Sequence, residues 1–215
     1  PVDRRIVLFR NDGTGGLSEA GQLVLDTVPY PFPLGSVTAA DWDLDGNVDL
    51  AGTAGSNSSP GTLVVFQNSG AWAFVGGQSF STPPAPLNLL AEDIDRDGWK
   101  DLILTMASGW NVKREYLHVY RNNGDGRLRL GEVHHNLLGN AGQTLASGED
   151  GRAGSMCLAL PDDVFASVHR VRSDGVLLPP QSYGTGYWPT AIVLEDFNGD
   201  GRLDMAACNS SDANV

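Results

Sequence analysis

Three copies of one acidic pattern constrain the fold of this chain more than any other feature of its sequence. The copies read DWDLDGNVDL from Asp41, DIDRDGWKDL from Asp93 and DFNGDGRLDM from Asp196. The second begins 52 residues after the first, and the third begins 103 residues after the second, close to twice that spacing. A repeat of about 50 residues indicates a protein assembled from similar units placed side by side.

A fourth, degenerate copy is expected midway between the second and the third. There the chain reads ASGEDGRAGS over 146–155. Asp150 and Gly151 stand in phase with Asp45 and Gly46, whereas Ala146, Gly148 and Gly154 occupy the positions of three other acids. This unit therefore keeps one acid and the glycine.

A second signal recurs with the same period. Alternating apolar runs lead into turn residues at IVLFRNDG, LVVFQNSG, LHVYRNNG and VHRVRSDG, which begin at Ile6, Leu63, Leu117 and Val168. Such runs predict β-hairpins, because Asn, Asp and Gly tolerate the left-handed conformation that tight turns require. Each period then holds four short strands, A to D, with the acidic segment between A and B. Four strands in about 50 residues are typical of a β-propeller blade.

The sequence thus predicts an all-β, single-domain β-propeller of four-stranded antiparallel blades over 1–215. It holds about four blades' worth of chain. Strands C and D of the last blade are expected in 1–30, whole blades in 31–83, 84–136 and 137–186, and strands A and B in 187–215. The first and last segments could complete one blade and close a four-bladed ring, or the chain could form part of a larger propeller.

The acidic segments have the composition of a cation site. We name them acidic loop 1 (41–49), acidic loop 2 (93–101) and acidic loop 3 (196–204). Side chains at positions 1, 3, 5 and 9 and the carbonyl at position 7 can surround one cation, and so many hard oxygen ligands select Ca²⁺. An EF-hand would need Glu at position 12, where Gly52, Leu104 and Ala207 stand.

Asp at position 9, with strands on both sides, resembles the calcium loop of FG-GAP/VCBS repeats, known from integrin α-subunit propellers and many bacterial secreted proteins. Segment 184–215 and the turn RNNGDGRL over 121–128 are similar to the same family. The resemblance implies larger rings, commonly seven-bladed, and three Ca²⁺ sites, with no metal at the degenerate copy. The implied ligands are Asp41, Asp43, Asp45, Asp49 and the Asn47 carbonyl; Asp93, Asp95, Asp97, Asp101 and the Trp99 carbonyl; and Asp196, Asn198, Asp200, Asp204 and the Arg202 carbonyl.

Charge and hydropathy exclude two classes of partner. The formal net charge of −12 disfavours nucleic acid, whose phosphates it repels. No run of about 18 apolar residues is present, so no membrane insertion is expected. Three calcium ions carry six positive charges and would bring the net charge to −6.

Cys157 and Cys208 stand in apolar contexts, and we expect two free, buried thiols rather than a disulfide.

The sequence shows no catalytic constellation. It contains neither a nucleophile-elbow motif nor a zinc-ligand spacing, and the adjacent His134 and His135 would point to opposite faces of a strand. We therefore expect no enzymatic activity.

Aromatic residues on the B–C and D–A connections are candidate ligand contacts. Trp110 is the first of these; Tyr187 and Trp188 are others, although for Trp188 the favoured interpretation is that it fills a gap between blades.

These features predict a calcium-stabilised extracellular recognition or adhesion module that binds protein or carbohydrate. The alternatives are a lectin with inter-blade sugar sites, a non-catalytic propeller of a secreted polysaccharide-active enzyme, and a structural spacer. A further partner could be the rest of its own propeller or a second copy of the chain. Because calcium is abundant outside cells, an extracellular, secreted or periplasmic location is expected.

Overall fold

The computed structural model describes residues 5–24, 34–56, 59–106, 115–137, 144–151, 155–161 and 164–210. Within these ranges the chain forms sixteen β-strands. They are β1 (Arg5–Asn11), β2 (Leu17–Val24), β3 (Leu34–Ala40), β4 (Asp49–Ala54), β5 (Gly61–Asn68), β6 (Phe74–Thr82), β7 (Pro86–Glu92), β8 (Asp101–Met106), β9 (Glu115–Asn122), β10 (Leu128–Leu137), β11 (Ala146–Asp150), β12 (Ser155–Pro161), β13 (Phe165–Val171), β14 (Gln181–Gly184), β15 (Pro189–Glu195) and β16 (Asp204–Asn209). None of the described segments forms a helix with the length and hydrophobicity needed to cross a membrane.

The strands form five antiparallel sheets in chain order. Sheet I holds β1 and β2, sheet II β3 to β6, sheet III β7 to β10, sheet IV β11 to β14, and sheet V β15 and β16. Each strand pairs with its neighbour in sequence. The prediction of an all-β chain with four-stranded antiparallel sheets is confirmed for the described residues.

Successive sheets pack face to face, and the alternation of side chains along each strand explains why. All six residues of β8 are buried, because sheet III has a neighbour on each side. Leu102 and Leu104 pack in one cluster with Leu63 of sheet II, whereas Ile103 packs in another with Leu158 of sheet IV. A strand buried on both faces reads as a continuous apolar run.

The first strands of neighbouring sheets lie side by side, joined by short polar contacts. The Ser36 hydroxyl accepts a 3.2 Å hydrogen bond from the Leu89 amide, which links β3 to β7. The Ser147 hydroxyl donates a 2.7 Å bond to the Glu92 carboxylate, which links β11 to β7. These contacts align the acidic loops, which follow the first strands, at one end of the sheets.

Sheets I and V stand at the two ends of this series. Ile6 and Leu23 of sheet I pack against a cluster that includes Phe66 of sheet II. Ile192 and Leu194 of sheet V are buried against sheet IV. The described sheets form no closed ring. The division into propeller blades therefore stays a prediction, although β3–β6, β7–β10 and β11–β14 follow the predicted segments to within one residue, at Leu137.

Two sequence-based expectations need correction. In the degenerate copy Asp150 pairs with Ser155 at the end of β11, as Ala40 pairs with Asp49 at the end of β3. Asp150 therefore corresponds to Ala40 and not to Asp45, because the connection is shorter than in the other units. Both cysteines are free, as expected, but Cys208 is exposed and only Cys157 is buried, since the outer face of sheet V has no described sheet against it.

Candidate metal centre

The three acidic loops share two local hydrogen bonds that fix the turn. Each loop leaves the first strand of a sheet and ends on the first residue of the second strand. The carboxylate at position 1 accepts a hydrogen bond from the glycine amide at position 6: Asp41 from Gly46 at 2.9 Å, Asp93 from Gly98 at 2.9 Å and Asp196 from Gly201 at 2.7 Å. The carboxylate at position 5 accepts one from the amide at position 7: Asp45 from Asn47 at 2.7 Å, Asp97 from Trp99 at 2.9 Å and Asp200 from Arg202 at 2.9 Å.

The backbone at position 6 explains the glycine of the motif. Gly46, Gly98 and Gly201 have φ angles of 89°, 94° and 77°. This left-handed conformation is unfavourable for residues with a Cβ atom. The sharp turn predicted from the sequence is therefore present in all three loops.

The aspartate at position 9 anchors each loop to its sheet. Its carboxylate accepts a hydrogen bond from the amide at position 2: Asp49 from Trp42 at 3.3 Å, Asp101 from Ile94 at 3.2 Å and Asp204 from Phe197 at 3.2 Å. In sheets II and III it also accepts a 2.8 Å bond from the amide of the third strand's last residue, Asn68 or Asn122.

Burial raises the pKa of two of these anchors, Asp49 and Asp101. Asp49 and Asp101 are 1% and 0% exposed. Loss of solvent raises the pKa of Asp49 above its usual range and raises that of Asp101 to about 6, against the opposing effect of the hydrogen bonds from their amide partners. A nearby cation would favour the charged form of both.

The side chains of the first two loops converge. In loop 1 one carboxylate oxygen each from Asp41, Asp43 and Asp49 lie within 4.8 Å of one another. In loop 2 the same holds for Asp93, Asp95 and Asp97. The structure therefore brings together three of the four predicted acids in each of these loops.

Acidic loop 3 differs from the other two in the side chains that it could offer to a cation. Asn198 replaces the second acid, and its side-chain oxygen accepts a 2.8 Å bond from the Asp200 amide. Asp196 accepts bonds from three backbone amides, and these hydrogen bonds lower its pKa. Among the described residues, the acids of loop 3 form no convergent group of three like those of loops 1 and 2.

Acidic loop 1 contains a buried carboxylate oxygen without a hydrogen-bond partner among the described residues. Oδ1 of Asp41 is shielded from solvent and accepts no hydrogen bond from the described residues. A buried anionic oxygen without a partner is costly, and a bound cation would remove that cost. Clustered carboxylate oxygens are also the donors that calcium prefers. The residues present thus fit a calcium ion.

Acidic loop 1, in sheet II, touches the third-to-fourth-strand turn of sheet III. Nδ2 of Asn122, in sheet III, donates a 2.6 Å bond to the carbonyl oxygen of Trp42 in loop 1. A Cβ atom on Gly126 of the same turn would lie 2.7 Å from Cβ of Asp43. Acidic loop 1 therefore lies at the junction between sheets II and III, where a bound ion would affect both sheets.

Sequence reasoning did not assign Arg121 to a site. Its guanidinium lies 3.4 Å from Asp95 and 3.1 Å from Asp101, both in acidic loop 2. It also pairs with Glu132 at 2.7 Å and donates a 2.8 Å bond to the carbonyl oxygen of Gly175 in sheet IV. The only feature of the sequence that could have indicated this role is that Arg121 immediately precedes Asn122, the turn asparagine of the repeat.

The degenerate copy lacks these features in the part that the structure describes. Asp150 is buried at the end of β11 and lies 3.7 Å from Arg170. Ala146 and Gly148 belong to the strand itself. Gly154 lies outside the described residues.

The candidate ligand-contact residues are only partly described. Trp110 lies outside the described residues. Tyr187 and Trp188 are 56% and 54% exposed, on the connection between β14 and β15. Pro189, which follows them, pairs with Asn209 at the end of sheet V opposite acidic loop 3. The described aromatic pair therefore lies at the end of the sheets away from the acidic loops.

Comparison with known families agrees with the repeat. Residues 41–104 match the sequence model of the FG-GAP-like repeat family. The match starts at the first residue of acidic loop 1, covers β4 to β7 and acidic loop 2, and ends within β8. It confirms the resemblance drawn from the sequence. No curated protein sequence matches the chain.

Proposed function

We propose that this chain, whose residues 41–104 form an FG-GAP-like repeat, is a calcium-stabilised extracellular module for recognition or adhesion. Its ligand would be a protein or a carbohydrate, and the role requires no catalysis. The observation that carries the proposal is the convergence of carboxylates in acidic loops 1 and 2, with a buried, unpartnered oxygen on Asp41.

Calcium would be held by the residues at positions 1, 3, 5 and 9 and by the carbonyl at position 7 of each loop. The ion would neutralise carboxylates that otherwise repel one another across less than 5 Å. It would also fix the connection between the first and second strands. Because binding to the folded state alone stabilises that state, calcium would raise the free energy of unfolding.

The fold in which this happens is proposed to be a β-propeller. Sheets I to V follow one another in chain order, hydrogen bonds link the first strands of sheets II, III and IV, and the acidic loops of sheets II, III and V each follow the first strand of their sheet. A groove of about 520 Å³, lined in part by Val168, Tyr183 and Met205, runs beside sheets IV and V. Two further strands beside β16 would cover it. Sheet I, a continuing chain or a second copy could supply them.

The end opposite the loops is the proposed ligand surface. Tyr187 and Trp188 are more than half exposed there, and aromatic side chains on loops are frequent anchors for sugars and proteins. An extracellular or periplasmic location would supply the calcium that such sites need. Trp110, predicted for the same end, remains a second candidate.

The first test is calcium binding by the full chain. Isothermal titration with CaCl₂ should show three sites, and thermal unfolding should occur at a lower temperature in chelator than in calcium. The variant Asp43→Asn should lose loop 1 binding. Replacement of Asp174, an exposed aspartate of a turn in sheet IV, by Asn serves as the control and should leave binding unchanged. Absence of calcium binding by folded wild-type protein would overturn the proposal.

The second test concerns the ligand. A glycan and extracellular-matrix array, run in about millimolar calcium and again in chelator, should give calcium-dependent binding that Trp188→Ala or Trp110→Ala removes. Trp72→Ala is the matched control, because Trp72 is an exposed tryptophan in a turn of sheet II. Equal binding to several sugars would favour the lectin alternative. No binding by folded protein would favour a structural spacer.

A further inference from the structure

Acidic loops 1 and 2 carry aspartates at the same four positions, but the third strands of their sheets differ at one equivalent position. Gln67 and Arg121 immediately precede Asn68 and Asn122, whose amides donate equivalent 2.8 Å bonds to Asp49 and Asp101. Gln67 and Arg121 therefore occupy the same position in sheets II and III.

The path of the two side chains confirms the equivalence. A Cβ atom on Gly77 of β6 would lie 3.3 Å from Cγ of Gln67. A Cβ atom on Gly131 of β10 would lie 2.8 Å from Cγ of Arg121. Both side chains thus cross a glycine of the fourth strand, but only the arginine brings a positive charge.

We infer that Arg121 is a built-in competitor for calcium at acidic loop 2, so that this loop binds calcium more weakly than acidic loop 1 and fills after it. This inference rests on the proposed calcium sites and describes how one of them is regulated. It is carried by the guanidinium contacts with Asp95 and Asp101, at 3.4 and 3.1 Å, and by the neutral glutamine at the same position of sheet II.

The competition follows from the charges. Arg121 is only 13% exposed in its side chain, so its interaction with the loop is weakly screened by water. A guanidinium does not lose its proton at physiological pH and cannot lower its repulsion of a divalent ion in that way. A calcium ion in loop 2 must therefore take Asp95 from Arg121 or bind beside a fixed positive charge.

Arg121 also has acceptors to which it can turn when calcium binds. Its Nη2 atom already lies 2.7 Å from Glu132 and 2.8 Å from the Gly175 carbonyl oxygen. The guanidinium can give up Asp95 without becoming an unpaired charge. Arg121 therefore weakens calcium binding at loop 2 without abolishing it. When calcium fills loop 2, Arg121 keeps its contacts with Glu132 and with the Gly175 carbonyl oxygen of sheet IV.

Affinity at each loop tests the inference in the full chain. Tb³⁺ serves as a luminescent probe for calcium, and the luminescence component lost in Trp99→Phe reports loop 2, because Trp99 lies within that loop. Competition by CaCl₂ then gives the calcium affinity. We expect Arg121→Gln to tighten calcium binding at loop 2 by about tenfold, in the range usual for coupled sites.

The reciprocal variant supplies an independent test. Gln67→Arg should weaken loop 1 by a similar factor, and it decides the question if Arg121→Gln does not fold. Arg172→Gln is the matched control: Arg172 follows the last residue of β13, and the degenerate copy beside it has no acidic loop. It should change neither affinity.

The outcomes are separable. Calcium binding that is unchanged or weaker at loop 2 in folded Arg121→Gln, or unchanged at loop 1 in Gln67→Arg, would overturn the role of Arg121 while the calcium proposal stands. Binding at loop 2 as tight as at loop 1 in the wild type would also overturn it. No binding of Tb³⁺ or calcium to any folded variant would overturn both proposals.

Discussion

The side-chain amide of Asn122 donates a 2.6 Å hydrogen bond to the carbonyl oxygen of Trp42, 80 residues earlier in the chain. Asn122 ends the third strand of sheet III, and Trp42 is the second residue of acidic loop 1 in sheet II. Both residues are buried. This one contact joins the turn of one sheet to the acidic loop of the preceding sheet.

Replacement of Asn122 by Ala should destabilise the protein by about 2 kcal/mol, because it leaves the buried Trp42 carbonyl without its donor. Urea unfolding in calcium would measure the change. Asn123→Ala, at the exposed neighbouring position, is the control and should cost little. A loss that is equal for the two variants would show that the inter-sheet bond contributes nothing particular.

The raised pKa of Asp101 predicts an unusual pH dependence in chelator. The folded-state pKa is about 6 and the ordinary value is 3.8, so the folded protein binds more protons between these values. Its free energy of unfolding should therefore fall as pH rises from about 4 to 6.5, with up to about 2 kcal/mol attributable to this group.

Asp101→Asn isolates that contribution, because other titrating groups remain in the variant. The stability of wild type relative to Asp101→Asn should decrease as pH rises through this window, and calcium should reduce the decrease by binding the carboxylate form. Urea midpoints at several pH values measure it. Parallel pH profiles of the two proteins in chelator would contradict the prediction.

Gly35 lies where β3 approaches β7 most closely. A Cβ atom there would collide with the carbonyl oxygen of Pro86 and with the hydroxyl of Thr53. Gly35→Ala should therefore cost about 2 kcal/mol through overpacking. Gly76→Ala in β6 is the control, since no heavy atom lies within 4 Å of its added Cβ. Thermal unfolding would compare them, and equal melting temperatures would refute the close approach.

The two free thiols should react differently. Cys208 is exposed, whereas Cys157 is buried and desolvation raises the pKa of its thiol. A thiol reagent should therefore modify one cysteine rapidly in the native protein and the second only after unfolding. Cys208→Ser should remove the fast phase. A fast phase that persists in this variant would show that Cys157 is accessible.

Much of the architecture could be predicted because it is local. The Asp and Gly spacing specifies a turn through hydrogen bonds between residues two to five apart, such as Asp41 with Gly46. The alternating runs before Asn68 and Asn122 specify strands in the same way. Four strands per repeat therefore followed from the sequence, and three four-stranded sheets are present.

The degenerate copy shows where this reasoning fails. A count of residues aligns Asp150 with Asp45 of the first repeat. The pairing of Asp150 with Ser155 instead aligns it with Ala40, which pairs with Asp49. Phase in a repeat is lost when a turn shortens, and only strand register shows the shift. The exposure of Cys208 likewise depends on which face of sheet V is covered, and its apolar neighbours in sequence carry no such information.

The sequence by itself determined the all-β class, the repeated acidic loops and the aspartates of the candidate cation sites, because these depend on contacts within a few residues. Only the tertiary structure placed Arg121 against acidic loop 2 and Asn122 against acidic loop 1. Those relationships join residues 20 to 80 positions apart. They arise because side chains from another strand, or from the next sheet, lie against these loops. The packing of the sheets decides which residue faces which loop.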